Sequence, residues 1–314
     1  MTTLLSSRAS YGKTLAELGE KYPAVVVLDA DLAKATQTIQ FAEKFPDRFF
    51  DMGIAEQNMM TTAAGMSTFG LIPFVSTFAV FASMRAAEQI RNMIAYPKLN
   101  VKIVATHAGV EIGGDGGSHQ AIEDIAVLRA IPNMTVIAPA DYVATAKAVE
   151  AIIQYQGPVY MRVGRADHPA IYGPDLQFEI GKSIQLRPGQ DLTIIAHGNM
   201  VAKSLDAADE LAKKGYTIRV IDMHTVKPLD EKAVIAAARE TKGIVTVEDH
   251  TIYGGLGSAV AETIALHCPA PLIRVGVMDC FGQSGQPEDL LEHYGLSVSN
   301  ITRQALEILK KTAM

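Results

Sequence analysis

Along this chain of 314 residues, short apolar runs alternate with longer helical patterns, and the alternation occurs twice. In the first series, residues 25–29, 49–52, 73–77, 101–106, 135–139 and 158–163 predict strands. Residues 12–21, 56–69, 81–94, 124–130 and 141–155 predict the helices between them. Residues 165–188 hold no sustained period and are rich in Pro, Gly, Asp and Arg, which predicts an interdomain connection with a short hairpin. The alternation then restarts, with strands at 192–196, 217–222, 243–248 and 272–277 and helices at 201–214, 231–240 and 257–266. Helices covering both faces of a parallel sheet bury its strands completely, so such strands read as near-continuous apolar runs. The expected fold is therefore α/β with two parallel-sheet domains: residues 1–168, a linker at 169–188, and a smaller unit at 189–314.

Composition removes several classes of function. Apolar residues make up 48% of the chain and charged residues 20%, enough apolar material for a core in each unit. Lys plus Arg is 28 against 34 Asp plus Glu, so a net charge of −6 supplies no basic field for nucleic acid. Cys268 and Cys280 are too few for a disulfide framework, which points to a reducing, cytoplasmic setting. No apolar run is long enough for a membrane span, and the first thirteen residues lack the apolar core of a secretion signal.

Five segments carry candidate chemistry. In Asp51-Met-Gly-Ile-Ala-Glu56-Gln-Asn58 a strand ends, Gly53 turns and Glu56 opens an apolar helix. A carboxylate in a first helical turn suits the macrodipole, and that alone is a sufficient reason for it. The small residues from Thr61 to Gly65 instead allow Glu56 to be driven into an interface, where a buried carboxyl holds its proton more tightly. Phe78, Phe81 and Met84 recur every three residues, as plain core or as a wall for an aromatic ligand. The loop from Thr106 to Gln120 holds five glycines, His107, Asp115 and His119, so backbone can approach a ligand with imidazoles at hand. His107 and His119 lack a soft third ligand, which argues against a metal site. Arg162 stands near a strand end, where α/β ligands gather, and suits a phosphate or an edge salt bridge. The glycines at 254, 255 and 257 do not have dinucleotide spacing and predict only a tight strand-to-helix turn.

In this order the segments resemble the C-terminal half of transketolase over nearly the whole chain. Gly-Ile-Ala-Glu56-Gln-Asn58 is similar to that family's thiamine diphosphate glutamate motif, and Ser76-Thr-Phe78-Ala-Val-Phe81 to its pyrimidine-stacking segment. Gly114-Asp115-Gly-Gly-Ser-His119-Gln120 is similar to its Gly-Glu-Asp-Gly-Pro-Thr-His-Gln loop. The resemblance implies a pyrimidine-binding domain followed by a transketolase C-terminal-like domain. It implies that Glu56 hydrogen-bonds the aminopyrimidine N1' nitrogen and that Phe78, Phe81 and Met84 pack on the pyrimidine, Met84 standing where the family often has Tyr. It assigns Arg8, His107 and Arg162 to substrate phosphate, Asp115 to a substrate hydroxyl and His119 to the vicinity of the reacting carbonyl. Glu56, His107 and His119 form the implied catalytic set. Ala35 replaces a phosphate-binding Ser and Gly117 replaces a Pro, departures that fit a changed sugar phosphate or a looser pocket.

The family's Gly-Asp-Gly metal motif needs an Asn pair downstream, whereas Gly114-Asp115-Gly116 is followed by the single nearby Asn133. No metal ligand is therefore expected in this chain. The resemblance implies thiamine diphosphate and Mg²⁺ held with a separate N-terminal diphosphate-binding subunit, and sugar phosphates as substrates. It implies self-association across a two-fold, a heterotetramer, and inactivity without the partner. The expected reaction moves a two-carbon ketol group from a ketose phosphate to an aldose phosphate. Alternatives are a 2-oxo acid dehydrogenase β subunit, a deoxyxylulose phosphate synthase-like enzyme and, more distantly, a non-catalytic regulatory homodimer.

Overall fold

The computed structural model describes residues 4–311. Two sheets organise the chain. The larger runs, edge to edge, Thr225–Lys227, Thr135–Ile137, Val159–Arg162, Lys102–Thr106, Ile72–Phe78, Val25–Asp29 and Phe49–Asp51. All its pairings are parallel except the first. The smaller runs Leu272–Val277, Ile244–Thr251, Leu192–Ala196, Ile218–Asp222 and Ile184–Arg187, parallel except at its last strand.

The central strands are buried along their whole length, as continuous apolar runs require: Val25–Asp29 and Leu192–Ala196 have no exposed residue. Each sheet has an apolar core on both faces. Leu28, Val75, Ile103 and Met59 pack on one face of the larger sheet, and Tyr11, Phe41, Phe74 and Ile152 on the other. The smaller sheet is covered by Val201, Leu211 and Ile308 on one side and by Val234, Val260 and Ile264 on the other. No helix among the described residues is long and apolar enough to cross a membrane.

Four features depart from the expected layout. Ile184–Arg187, expected in the linker, is an edge strand of the smaller sheet. Thr225–Lys227, far into the second unit, pairs antiparallel with Thr135–Ile137 and so extends the larger sheet. The helix expected at 81–94 is instead a π-helical turn Phe81–Arg85, a short α-turn Ala87–Gln89 and a second π-segment Ile90–Ala95. The Ala86 amide accordingly donates to the Phe81 carbonyl, five residues back. Helix Pro287–His293 and helix Val298–Lys311 were not among the expected elements; the second carries a strong apolar stripe through Ile301, Ala305 and Ile308.

Candidate active site

The carboxyl ends of the larger sheet's strands bring most of the candidate residues together. Strand Phe49–Asp51 ends in a turn with Gly53 at φ 66°, and Asp51 secures that turn by accepting from the Gly53 and Asp31 amides. Helix Glu56–Thr68 follows, packed through Met59, Met60, Ala63 and Ala64. This packing draws Glu56 inward until only 1% of it is exposed. Its Oε2 accepts a hydrogen bond of 2.8 Å from Arg85 Nη1. A helix-terminal acid serving only the dipole has no need of burial, so the interface reading describes Glu56 better.

Phe78 ends its strand and Phe81 opens the π-turn, so their three-residue spacing is not a helical stripe. Their rings still stack, 5.9 Å between centroids and 14° from parallel. Arg85 lies 4.6 Å from the Phe81 centroid and so links the aromatic wall to Glu56. Met84 is half exposed beside Arg85.

His107 follows strand Lys102–Thr106 with φ 61°, a conformation a non-glycine residue adopts only under constraint. Its ring stacks on Phe78 at 3.8 Å, and Nδ1 shares a 2.8 Å hydrogen bond with the Thr106 hydroxyl. Burial, followed by the charges of Arg8, Arg165 and His119, pulls its pKa down to about 3. His107 is therefore a neutral hydrogen-bonding group at physiological pH and no cationic phosphate anchor. His119 meets Phe81 and Phe78 edge-on at 5.4 and 6.4 Å, and its Nδ1 contacts Ser118. Asp115 is exposed on the same glycine loop, at the end of the 3₁₀ turn Val110–Asp115.

The arginines redistribute. Arg162, expected at substrate phosphate, is buried in the seam between the domains. Its Nε donates to both oxygens of Asp124 at 2.8 and 3.1 Å, and its Nη2 to the carbonyls of Ala121 and Asp249. These bonds engage Nε and Nη2 and give Arg162 a domain-joining role, while its Nη1 carries no bond among the described residues. Arg165, three residues beyond, lies past the strand end. Its carbonyl accepts from Arg8 Nε and Nη2 at 3.2 and 3.1 Å, and its own Nη1 bonds the Ile112 carbonyl. Arg8 completes its bonds on the carbonyl of Ala35, the position where the phosphate-binding Ser was missed. Both guanidinium groups thus bond backbone carbonyls, and their charges reach His107. Sequence reasoning missed Arg165. The available signal was position: a residue just beyond the carboxyl end of a parallel strand faces the ligand side.

The fifth segment is structural. Glu248 accepts from the amides of Leu256 and Gly257 at 2.7 and 2.8 Å, so the chain's own carboxylate fills the start of helix Leu256–His267. A Cβ on Gly255 would lie 2.1 Å from Glu248 Oε2, which is why the turn needs glycine there. Neighbouring Asp249 accepts from the Val110 amide and from Asn199, and His168 contacts Glu111 at 3.1 Å. These bonds seat the 3₁₀ turn before Asp115 on the second domain. Asn133 is a turn residue at φ 68°, donating to the Ala95 carbonyl.

Two parallel-sheet domains joined by buried hydrogen bonds, the first with a buried carboxyl, stacked rings and two imidazoles at its strand ends, make up this α/β protein. Residues 4–169 match the transketolase pyrimidine-binding domain, and residues 181–301 the transketolase C-terminal domain. The chain belongs to the transketolase family. It is 52% identical to a putative transketolase C-terminal section of Methanocaldococcus jannaschii, over 97% of this chain and 96% of that one. It is 42% identical to a 6-deoxy-6-sulfo-D-fructose transketolase subunit of a Clostridium species, over 97% and 94% of the two chains. Its fold is that of a split transketolase subunit: a structure described as a split gene transketolase, inactive beta4 tetramer, superposes with TM-score 0.92 at 51% identity, covering 98% of this chain and 99% of that one.

The residues present suit one half of thiamine diphosphate. An aminopyrimidine needs a flat apolar face and an acidic donor, which Phe78, Phe81 and Glu56 can offer within one contiguous cluster. The diphosphate half needs a divalent cation, and among the described residues no group of three His, Cys, Asp or Glu could hold one.

Proposed function

We propose that this chain is the C-terminal subunit of a two-subunit, thiamine diphosphate-dependent transketolase that moves a two-carbon ketol group between sugar phosphates. The buried Glu56 beside the Phe78–Phe81 stack is the observation that carries this reading. Thiamine diphosphate, when bound, supplies a stabilised carbanion for cleaving and forming carbon–carbon bonds. Glu56 holds a proton against the pyrimidine ring nitrogen, and Phe78 and Phe81 orient the ring, with Met84 at their margin. His107 and His119, beside those rings, donate or accept hydrogen bonds at the substrate oxygens, and Asp115 reaches a sugar hydroxyl. Arg8 and Arg165 hold the phosphate end. Mg²⁺ and the diphosphate belong to the partner, an N-terminal diphosphate-binding subunit.

The relatives' names support ketol transfer over the dehydrogenase and synthase readings. The word inactive in the description of the related beta4 tetramer supports dependence on the partner. Exposed Ile54 and Phe69, at the two ends of helix Glu56–Thr68, and Met84, Met93 and Tyr96 on the segments after Phe78 suit burial against a two-fold mate and that partner in a heterotetramer. The free thiols of Cys268 and Cys280 suit a cytoplasmic setting. The test is reconstitution with the partner subunit, Mg²⁺ and thiamine diphosphate, followed by a ketol-transfer assay. Transfer by the mixture and none by this chain alone is expected; equal activity without the partner would overturn the split.

A further inference from the structure

A carboxyl that donates a hydrogen bond to a ring nitrogen must carry a proton, yet here Glu56 accepts one from a guanidinium at 2.8 Å. Arginine does not give up its proton in proteins, so the contact is an ion pair and favours the ionised carboxylate. The two members are unequal: Glu56 is fixed in the floor of the site at 1% exposure, while the Arg85 side chain is 46% exposed and reaches in over Phe81. The other charged groups on the elements packed around helix Glu56–Thr68 are engaged elsewhere. Asp29 is held by the Leu32 amide and by Thr36 and Thr38, Glu88 by Gln89 and Asn92, and Arg91 by Asn92. Arg85 is thus the group that compensates the buried charge, and among the described residues its one hydrogen bond is to Glu56.

Resting on the cofactor reading of Glu56 above, we propose that Arg85 is a removable counter-ion. It keeps Glu56 ionised while the pyrimidine pocket is open and swings off the carboxylate when a ring nitrogen takes its place, whereupon Glu56 takes up one proton from water. No bond other than the carboxyl O–H forms. Cofactor binding by the assembled protein is then linked to one proton, and its affinity falls about tenfold for each unit of pH above neutrality.

Two measurements test this. The first uses the chain itself, comparing protonated-carboxyl absorption in the infrared at neutral pH. Arg85→Met should gain this band, because a buried carboxylate without its counter-ion takes a proton. Arg85→Lys should not gain it, and Arg85→Met combined with Glu56→Gln should lose it. Identical spectra for wild type and Arg85→Met overturn the proposal. Thermal melts of each variant show that the fold is kept. The second titrates Mg²⁺-thiamine diphosphate into the reconstituted assembly by calorimetry in buffers of different ionisation heat. Wild type should take up about one proton, Arg85→Met close to none, and Arg85→Lys about one; equal uptake in wild type and Arg85→Met overturns the proposal. An assembly that binds no thiamine diphosphate overturns the cofactor reading of the site, while the infrared comparison still decides the role of Arg85.

Discussion

Glu56 opens helix Glu56–Thr68 and the Glu248 side chain meets the start of helix Leu256–His267; both are buried carboxylates, and they differ in how they are held. Glu248 accepts from the Leu256 and Gly257 amides and is sealed inside the second domain. Burial works against its charge, but nearby His197 and His250 and the Gly257 amide prevail and hold its pKa below the usual range. Among the described residues Glu56 has one hydrogen-bond partner, the half-exposed Arg85, on a face that also exposes Ile54 and Met84. The same contrast separates Arg162, buried and held by Asp124 and two carbonyls, from Arg165 beyond the strand end. A buried group held by several bonds at once holds the fold. A group that faces outward with one exchangeable partner is free for a ligand.

The largest effect should come at Glu56. Glu56→Ala is expected to lower ketol transfer by roughly 100-fold or more, the range of a lost proton-handling group, with the circular dichroism of the chain unchanged. Near-normal turnover would erase the distinction from Glu248. Arg162→Ala leaves Asp124 buried without its counter-charge and should cost about 3–5 kcal/mol in urea unfolding. Arg165→Ala should instead leave the unfolding midpoint nearly in place and raise KM for the phosphorylated substrate roughly tenfold, the loss of one charged hydrogen bond. If the two arginine variants exchanged these phenotypes, the domain-joining role of Arg162 would be wrong. Gly255→Ala places a Cβ against Glu248 and His250 and should cost about 1–3 kcal/mol by overpacking, read from the same unfolding curves.

The smallest effect should be a pH dependence at the domain seam. Asp222 is fully buried with one oxygen on the Tyr172 hydroxyl, and burial raises its pKa to about 7. A carboxyl raised in the folded state binds more protons folded than unfolded. Its favourable contribution is therefore present at low pH and is lost as pH rises from the ordinary carboxylate range toward 7. Asp222→Asn removes that loss. The variant should melt a few degrees above wild type at pH 8, with the gain shrinking toward pH 5. A gain that grows on acidification would contradict the buried, proton-holding description.

Much of this protein was legible in order and type. Val25–Asp29, Leu192–Ala196 and Leu272–Val277 lie where their apolar runs predicted, as do helices Asp124–Ala130 and Glu231–Glu240. The resemblance to transketolase rested on motifs around Glu56, Phe78 and His119, and the family is the one found. The short edge strands Thr225–Lys227 and Ile184–Arg187 were not legible, because three or four residues carry too little period to stand out. The π-turns escaped because Phe78, Phe81 and Met84 have helical spacing even though the first belongs to a strand.

Local chemistry in the sequence determined which side chains fall at strand ends and helix starts, since burial of apolar runs and glycine turns act over a few residues. Which of those side chains meet was decided only by the packed fold. Arg162 finds Asp124 and Asp249 from distant parts of the chain, and Arg85 finds Glu56 across the sheet edge. The physical reason is that the strength of a charge contact depends on distance and on exclusion of water, and both are properties of the assembled core.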